Sequence, residues 1–127
     1  MALNHIDHYL VYACDLEESK RFYTEVLCLR LGYRPPFSFP GYWLYSKDKP
    51  LVHLAAKKDT SNISKETGAL AHIAFNADDL EGTIAHLQKL DIEMQHRTVP
   101  EEGGAHQIFI KDPDGIKIEL NFSKAMP

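Results

Sequence analysis

The stretch HYLVYACDLEES, residues 8–19, has a near copy in HIAFNADDLEGT, residues 72–83. A constant offset of 64 pairs His8 with His72, Ala13 with Ala77, Asp15 with Asp79, Leu16 with Leu80 and Glu17 with Glu81. Identities in matching contexts at one offset point to an internal duplication, and two copies are too few for a solenoid. In each copy the hydrophobic period changes at the aspartate. Residues 5–13 and 70–77 read as strands, rich in β-branched and aromatic types. Asp15, with Glu17 and Glu18 behind it, is an N-cap followed by negative charge suited to a helix dipole. That helix carries Phe22, Val26 and Leu29 at helical spacing and ends by Gly32. The second starts at Asp78 or Asp79, buries Leu80, Ile84, Leu87 and Leu90, and ends at Asp91.

Three short strands follow each helix. In the first half they span 30–34, 41–46 and 51–56, separated by PPFSFPG and KDKP; in the second they span 92–97, 106–111 and 116–122, separated by PEEGG and DPDG. In DPDG, Pro113 is preset for a turn and Gly115 can take positive φ, a strong hairpin signal. The predicted fold class is therefore α+β, two βαβββ modules: 1–66 and 67–127 within a single domain, 1–127.

The bulk properties narrow the function. With 44% apolar and 25% charged residues the chain has the makeup of an ordinary globular domain. Its net charge of -4 includes no basic run that would neutralise a phosphate backbone, so nucleic acid is a poor partner. No stretch reaches the ~18 consecutive apolar residues of a membrane helix, and MALNHIDHYL lacks the regions of a signal peptide. A cytoplasmic protein acting on a small molecule, with no membrane partner, is the expectation. Cys14 and Cys28 form no Cys-x-x-Cys pair and read as small buried side chains.

Strand parity sorts the side chains. Ala71, Ile73 and Phe75 fall on one face and His72, Ala74 and Asn76 on the other; Ile116, Ile118 and Leu120 leave Lys117, Glu119 and Asn121 opposite; Val52 and Leu54 leave His53 opposite. Histidine and carboxylate thus share the face turned from the helices. His8, His53, His72 and Glu119 form a set of metal-ligand type, two from each half, on rigid strands. Imidazole with carboxylate suits one divalent ion: Zn, Ni, Fe, Mn or Co. A lone histidine on a sheet is ordinarily just hydrogen-bonded or half-exposed, but matched positions in a repeat favour ligation. His5, His86 and His96 read as structural or solvated, whereas His106, entering a strand after the glycine-rich loop, could reach a substrate. In RPPFSFPGYWLY, Phe37, Phe39 and Trp43 concentrate aromatic surface that could line a substrate pocket, core packing being equally compatible. The loop TVPEEGGAH could be a lid or an ordinary surface loop.

HIDHYLVYACDLEESKRFYTEVLCLRLGY and HIAFNADDLEGTIAHLQKL, closed by DPDGIKIEL, resemble the vicinal oxygen chelate superfamily. That group contains glyoxalase I, fosfomycin and bleomycin resistance proteins, methylmalonyl-CoA epimerase and extradiol dioxygenases. The resemblance covers nearly the whole chain. It implies modules whose sheets form a half-open curved barrel around one divalent metal, with ligands from the first and last strands of each: His8 and His53, then His72 and Glu119. It also implies a homodimer and bidentate chelation of substrate through neighbouring oxygens. Glyoxalase I-like members typically have a Glu where His53 stands, which leaves Glu119 as the carboxylate base and His53 as the second candidate catalytic group. The implied function is a metal-dependent lyase or isomerase. The alternatives are an extradiol-type iron dioxygenase using His8, His72 and Glu119, and a bleomycin-resistance-like module that sequesters its ligand without turnover.

Overall fold

The computed structural model describes residues 1–59, 67–100 and 103–122. The chain divides into two compact units, Met1–Ile63 and Ser64–Pro127. Residues 60–66, which hold the expected module boundary, and Glu101 and Glu102 of the expected lid lie outside the described residues. The first unit runs β1 (Tyr9–Ala13), α1 (Leu16–Arg21), β2 (Arg30–Gly32), β3 (Gly41–Ser46) and β4 (Lys49–Ala56). The second runs β5 (Ile73–Ala77), α2 (Leu80–Lys89), β6 (Gln95–Thr98), β7 (His106–Lys111) and β8 (Lys117–Phe122). Each unit is a βαβββ module with one four-stranded mixed sheet, ordered β1-β4-β3-β2 and β5-β8-β7-β6. In both, the first strand pairs in parallel with the last.

Both aspartates cap their helices. The Asp15 carboxylate accepts from the Glu18 amide at 3.1 Å and that of Asp79 from the Gly82 amide at 3.0 Å, each satisfying an amide that has no partner within the helix. A Cβ at Gly82 would meet the Asp79 carboxylate, so a larger residue there would have to turn the capping group aside. The first helix does not continue as a regular α-helix. It passes into a π-helical turn over Phe22–Val26, and Cys28 then takes a left-handed conformation (φ 59) that ends it. Cys28 is exposed and Cys14 half-buried, contrary to the expectation that both are buried. Asp91 is also left-handed (φ 57), closing α2 as expected, but Leu90 is 38% exposed and does not join the core.

Alternation along the strands builds each core. In the first unit Val11, Ala13, Leu44, Val52 and Leu54 are buried together with Ser19, Phe22 and Tyr23 of the helical segment. Each large apolar side chain so buried contributes about 1.5–3 kcal/mol. The Glu17 carboxylate accepts from the Tyr42 hydroxyl and pairs with Lys20 at 2.9 Å, which ties α1 to β3. In the second unit Leu87 of α2, Ile108, Ile110, Ile118, Leu120 and Phe122 are buried. His8 and His72 each stand one residue before their strands rather than inside them. In the parallel ladders Leu10 lies opposite His53 and Ala74 opposite Glu119. His53 and Glu119 therefore hold equivalent register positions relative to the two leading histidines.

Candidate metal centre and its surroundings

In the first unit the parallel pairing of β1 with β4 brings His8 against His53. Their rings stack at 3.8 Å between centroids and 12° between planes. Trp43, directly across the β3–β4 ladder from His53, stacks on that ring as well, at 3.9 Å and 10°. Two neighbours cannot occupy one face of a ring, so His53 is sandwiched. Burial, then the adjacent His8, hold its pKa below the ordinary 6.5, while a hydrogen bond to Pro50 opposes the shift. Proline has no amide hydrogen, so the imidazole is the donor to its carbonyl. His53 Nε2 is buried without a hydrogen-bond partner, which leaves Nδ1 as the donating nitrogen. An unsatisfied buried nitrogen of this kind costs about 1–3 kcal/mol. A neutral imidazole with one N–H anchored and the other nitrogen bare is the form in which histidine ligates a metal ion.

His8 is arranged in the same sense. Its Nδ1 lies 2.6 Å from Asp7 Oδ2, and an ionised carboxylate only accepts, so Nδ1 carries the proton and Nε2 presents a lone pair. The His8 hydrogen bond is also the main reason the Asp7 carboxyl is held below the ordinary carboxylate range. Parallel stacked rings cannot both hold one ion in their planes. The His8 side chain, 40% exposed, is the one with room to turn.

In the second unit His72 Nε2 lies 3.3 Å from Glu119 Oε1. Glu119 is buried, and its Oε2 accepts from Asn121 Nδ2 at 3.0 Å. Phe109, the cross-strand partner of Glu119, makes a T-shaped ring contact with His72 at 6.1 Å between centroids. Lys117 and Arg97 stand over the Phe109 ring at 4.6 and 5.9 Å from its centroid. Among the described residues, His, Cys, Asp and Glu form no group of three or more that could hold a metal ion; the four expected ligands come as two pairs, one within each unit. Imidazole nitrogens with a buried carboxylate, and the bare His53 Nε2 above all, fit a borderline divalent cation in donor chemistry.

Phe37, Phe39 and Trp43 lie together in the first unit. Phe37 and Phe39 stack at 5.3 Å, and Phe37 lies 6.3 Å from Trp43, so rings continue from the 46%-exposed phenylalanines to His53. Arg34, which sequence reasoning missed, covers both phenylalanine rings at 5.1 and 4.8 Å and donates to the Phe39 carbonyl. His106 is placed on the other side of its sheet. It pairs with Phe122, on the buried face, and its ring contacts His96 at 2.9 Å. It lies on the face of that sheet opposite to Glu119. The hairpin closed at DPDG sets Lys111 opposite Lys117, and counting back puts His106 opposite Phe122. Asp7 and Arg34 fall within the expected strands 5–13 and 30–34, but strand period singles out neither: Asp7 bonds its sequence neighbour His8 and Arg34 reaches the carbonyl of Phe39.

A family model described as the Glyoxalase/Bleomycin resistance protein/Dioxygenase superfamily matches residues 5–120. A probable lactoylglutathione lyase of Vibrio parahaemolyticus is 30% identical over 94% of this chain and 91% of its own length. Glyoxylase I 4 of Arabidopsis thaliana is 29% identical over 98% of this chain and 74% of its own. Among solved structures, a lactoylglutathione lyase from Agrobacterium tumefaciens superposes with TM-score 0.71 at 20% identity, covering 98% and 97% of the two chains. An antibiotic binding protein from Streptomyces sp. CB03234 gives 0.71 at 24% identity over 97% and 98%. These two structural likenesses speak to the fold alone. No helix among the described residues is long and apolar enough to cross a membrane.

Proposed function

This chain belongs to the Glyoxalase/Bleomycin resistance protein/Dioxygenase superfamily, and from that premise we propose that it is a divalent-metal-dependent enzyme of the glyoxalase type. In this reading it is a lyase or isomerase acting on a small substrate that binds through neighbouring oxygens. His8, His53, His72 and Glu119 would hold one ion, its identity left open among Zn, Ni, Fe, Mn and Co. The observation that carries the reading is the buried, unpartnered Nε2 of His53, at a register position equivalent to that of Glu119. When bound, the ion supplies Lewis acidity that stabilises negative charge developing on the substrate oxygens.

The chain's own residues do the rest. Glu119 is the candidate base for a proton next to a carbonyl. Its Oε2 is held by Asn121, and its Oε1 is the oxygen near His72. His53 Nε2, bare on a ring whose pKa burial depresses, is the second group able to take that proton in the arrangement where His8, His72 and Glu119 alone hold the ion. Phe37, Phe39 and Trp43 offer an apolar wall that excludes water from the substrate. We include in the proposal a half-open sheet around the ion, a homodimer, for which the exposed Leu10 and Tyr12 on β1 offer apolar surface, and a cytoplasmic location.

One observation favours a second reading, a sequestering module: the half-exposed Phe37–Phe39 stack resembles a ligand platform more than a core. The bare imidazole nitrogen weighs against it. The test is assay of protein reconstituted with each metal in turn. Turnover of a hemithioacetal supports the lyase reading, and oxygen uptake on catechols with Fe(II) replaces it with dioxygenase. Tight ligand binding without metal or turnover replaces it with sequestration.

A further inference from the structure

A chain with net charge -4 carries cations on the face of its second sheet that bears Glu119. Lys117 lies two residues before Glu119 on β8, and Arg97 pairs with Gln107 on the neighbouring ladder. Parity puts both on the Phe109 side, and both stand over the Phe109 ring, at 4.6 and 5.9 Å from its centroid. Neither forms an ion pair with a carboxylate among the described residues. Glu119, the acid beside them, is committed to Asn121 and His72. Two like charges gathered on one ring repel each other, and the ring's quadrupole compensates only weakly. An anion between them would remove that repulsion, and a guanidinium fork beside an ammonium suits the planar oxygens of a carboxylate. The Phe109 ring stands nearly perpendicular to that of His72, with centroids 6.1 Å apart, so a ligand whose anion sits between the two cations would extend past Phe109 toward the His72–Glu119 pair.

We propose that Arg97, Lys117 and Phe109 form a subsite for the carboxylate end of the substrate, whose class is therefore a small aryl or short-chain carboxylic acid carrying neighbouring oxygens at its other end. The proposal rests on the metal-enzyme reading for what lies at that other end, and on the second unit's own residues for the anion. It has a direct probe. The full chain, freed of metal by chelation, is titrated with benzoate and with its neutral isostere benzamide while the side-chain NMR signals of Arg97, Lys117 and Phe109 are followed. Benzoate is expected to shift them saturably and at least about tenfold more tightly than benzamide. That preference should fall to near unity in Arg97→Met/Lys117→Met, whose amide spectrum reports whether the fold is kept. Equal binding of the two probes by the wild type, or undiminished benzoate preference in the folded double variant, overturns the proposal. Metal content measured on separately reconstituted samples keeps the two readings apart. Benzoate discrimination without stoichiometric metal sustains the subsite and removes the metal reading; stoichiometric metal without discrimination does the reverse.

Discussion

Trp43 lies directly across the β3–β4 ladder from His53 and stacks on its ring at 3.9 Å, with 10° between the planes. This contact shields one face of the imidazole from water, and His8 covers the other. Replacing Trp43 by Ala removes the shield. In metal-free protein the His53 pKa should rise toward 6.5, read from its ring proton shifts. The half-buried cavity should lower stability by about 1–2 kcal/mol. Trp43→Phe should retain most of the depression.

The lowered His53 pKa also fixes a pH dependence for metal-free protein. Above the unfolded value, near 6.5, the ring is neutral in both states and costs nothing. As pH falls below it, the unfolded chain takes up the proton first, so stability declines until the folded-state pKa is passed. Urea midpoints measured across that window should drop with acidity in the wild type and drop less in His53→Gln. A His53-independent profile would contradict the assignment.

Asn121 holds Glu119 by one hydrogen bond to Oε2, at 3.0 Å. Asn121→Leu should weaken metal binding about ten- to a hundredfold by freeing the carboxylate to turn, and competition with a chromophoric chelator measures it. Asn121→Asp should be worse, because it sets a second negative charge against Glu119.

Asp7 and His8 are both exposed, so their 2.6 Å contact should matter for ligation rather than for folding. Asp7→Ala is expected to leave the unfolding midpoint unchanged and to weaken metal binding by about tenfold. Asp7→Asn should recover part of that affinity only if it still accepts from Nδ1.

Gly41 is required by space. A Cβ there would run into the Leu54 carbonyl oxygen and stand 2.9 Å from an Arg34 guanidinium nitrogen. Gly41→Ala should cost about 1–3 kcal/mol and release Arg34 from its place over Phe37 and Phe39, visible as increased quenching of Trp43 fluorescence by iodide.

The features legible in the sequence are those governed by local rules. Asp15 and Asp79 cap where their side chains satisfy amides three residues on, and strand parity puts Glu119 on the face away from Ile118 and Leu120. The repeat offset identified His8 with His72, and the ladders add what spacing only approximated, the equivalence of His53 and Glu119. What could not be read depends on neighbours distant in sequence. The π-helical turn at Phe22–Val26 and the left-handed Cys28 have no marker where glycine would ordinarily stand. The Trp43–His53–His8 stack needs the β1-β4-β3 order, which no local pattern contains. The face that His106 takes depends on the hairpin register that ties it to Phe122, which its place after the glycine-rich loop does not give.

The central claim, that these two pairs of side chains serve one divalent ion, is tested most directly by metal stoichiometry. Chelator-stripped protein is reconstituted with Zn, Ni, Co, Mn or Fe(II), dialysed, and analysed for bound metal per chain. One ion per chain is expected for at least one metal in the wild type, lost in both His72→Ala and Glu119→Ala. No stoichiometric metal in the wild type under any reconstitution, or full retention in both variants, would contradict it.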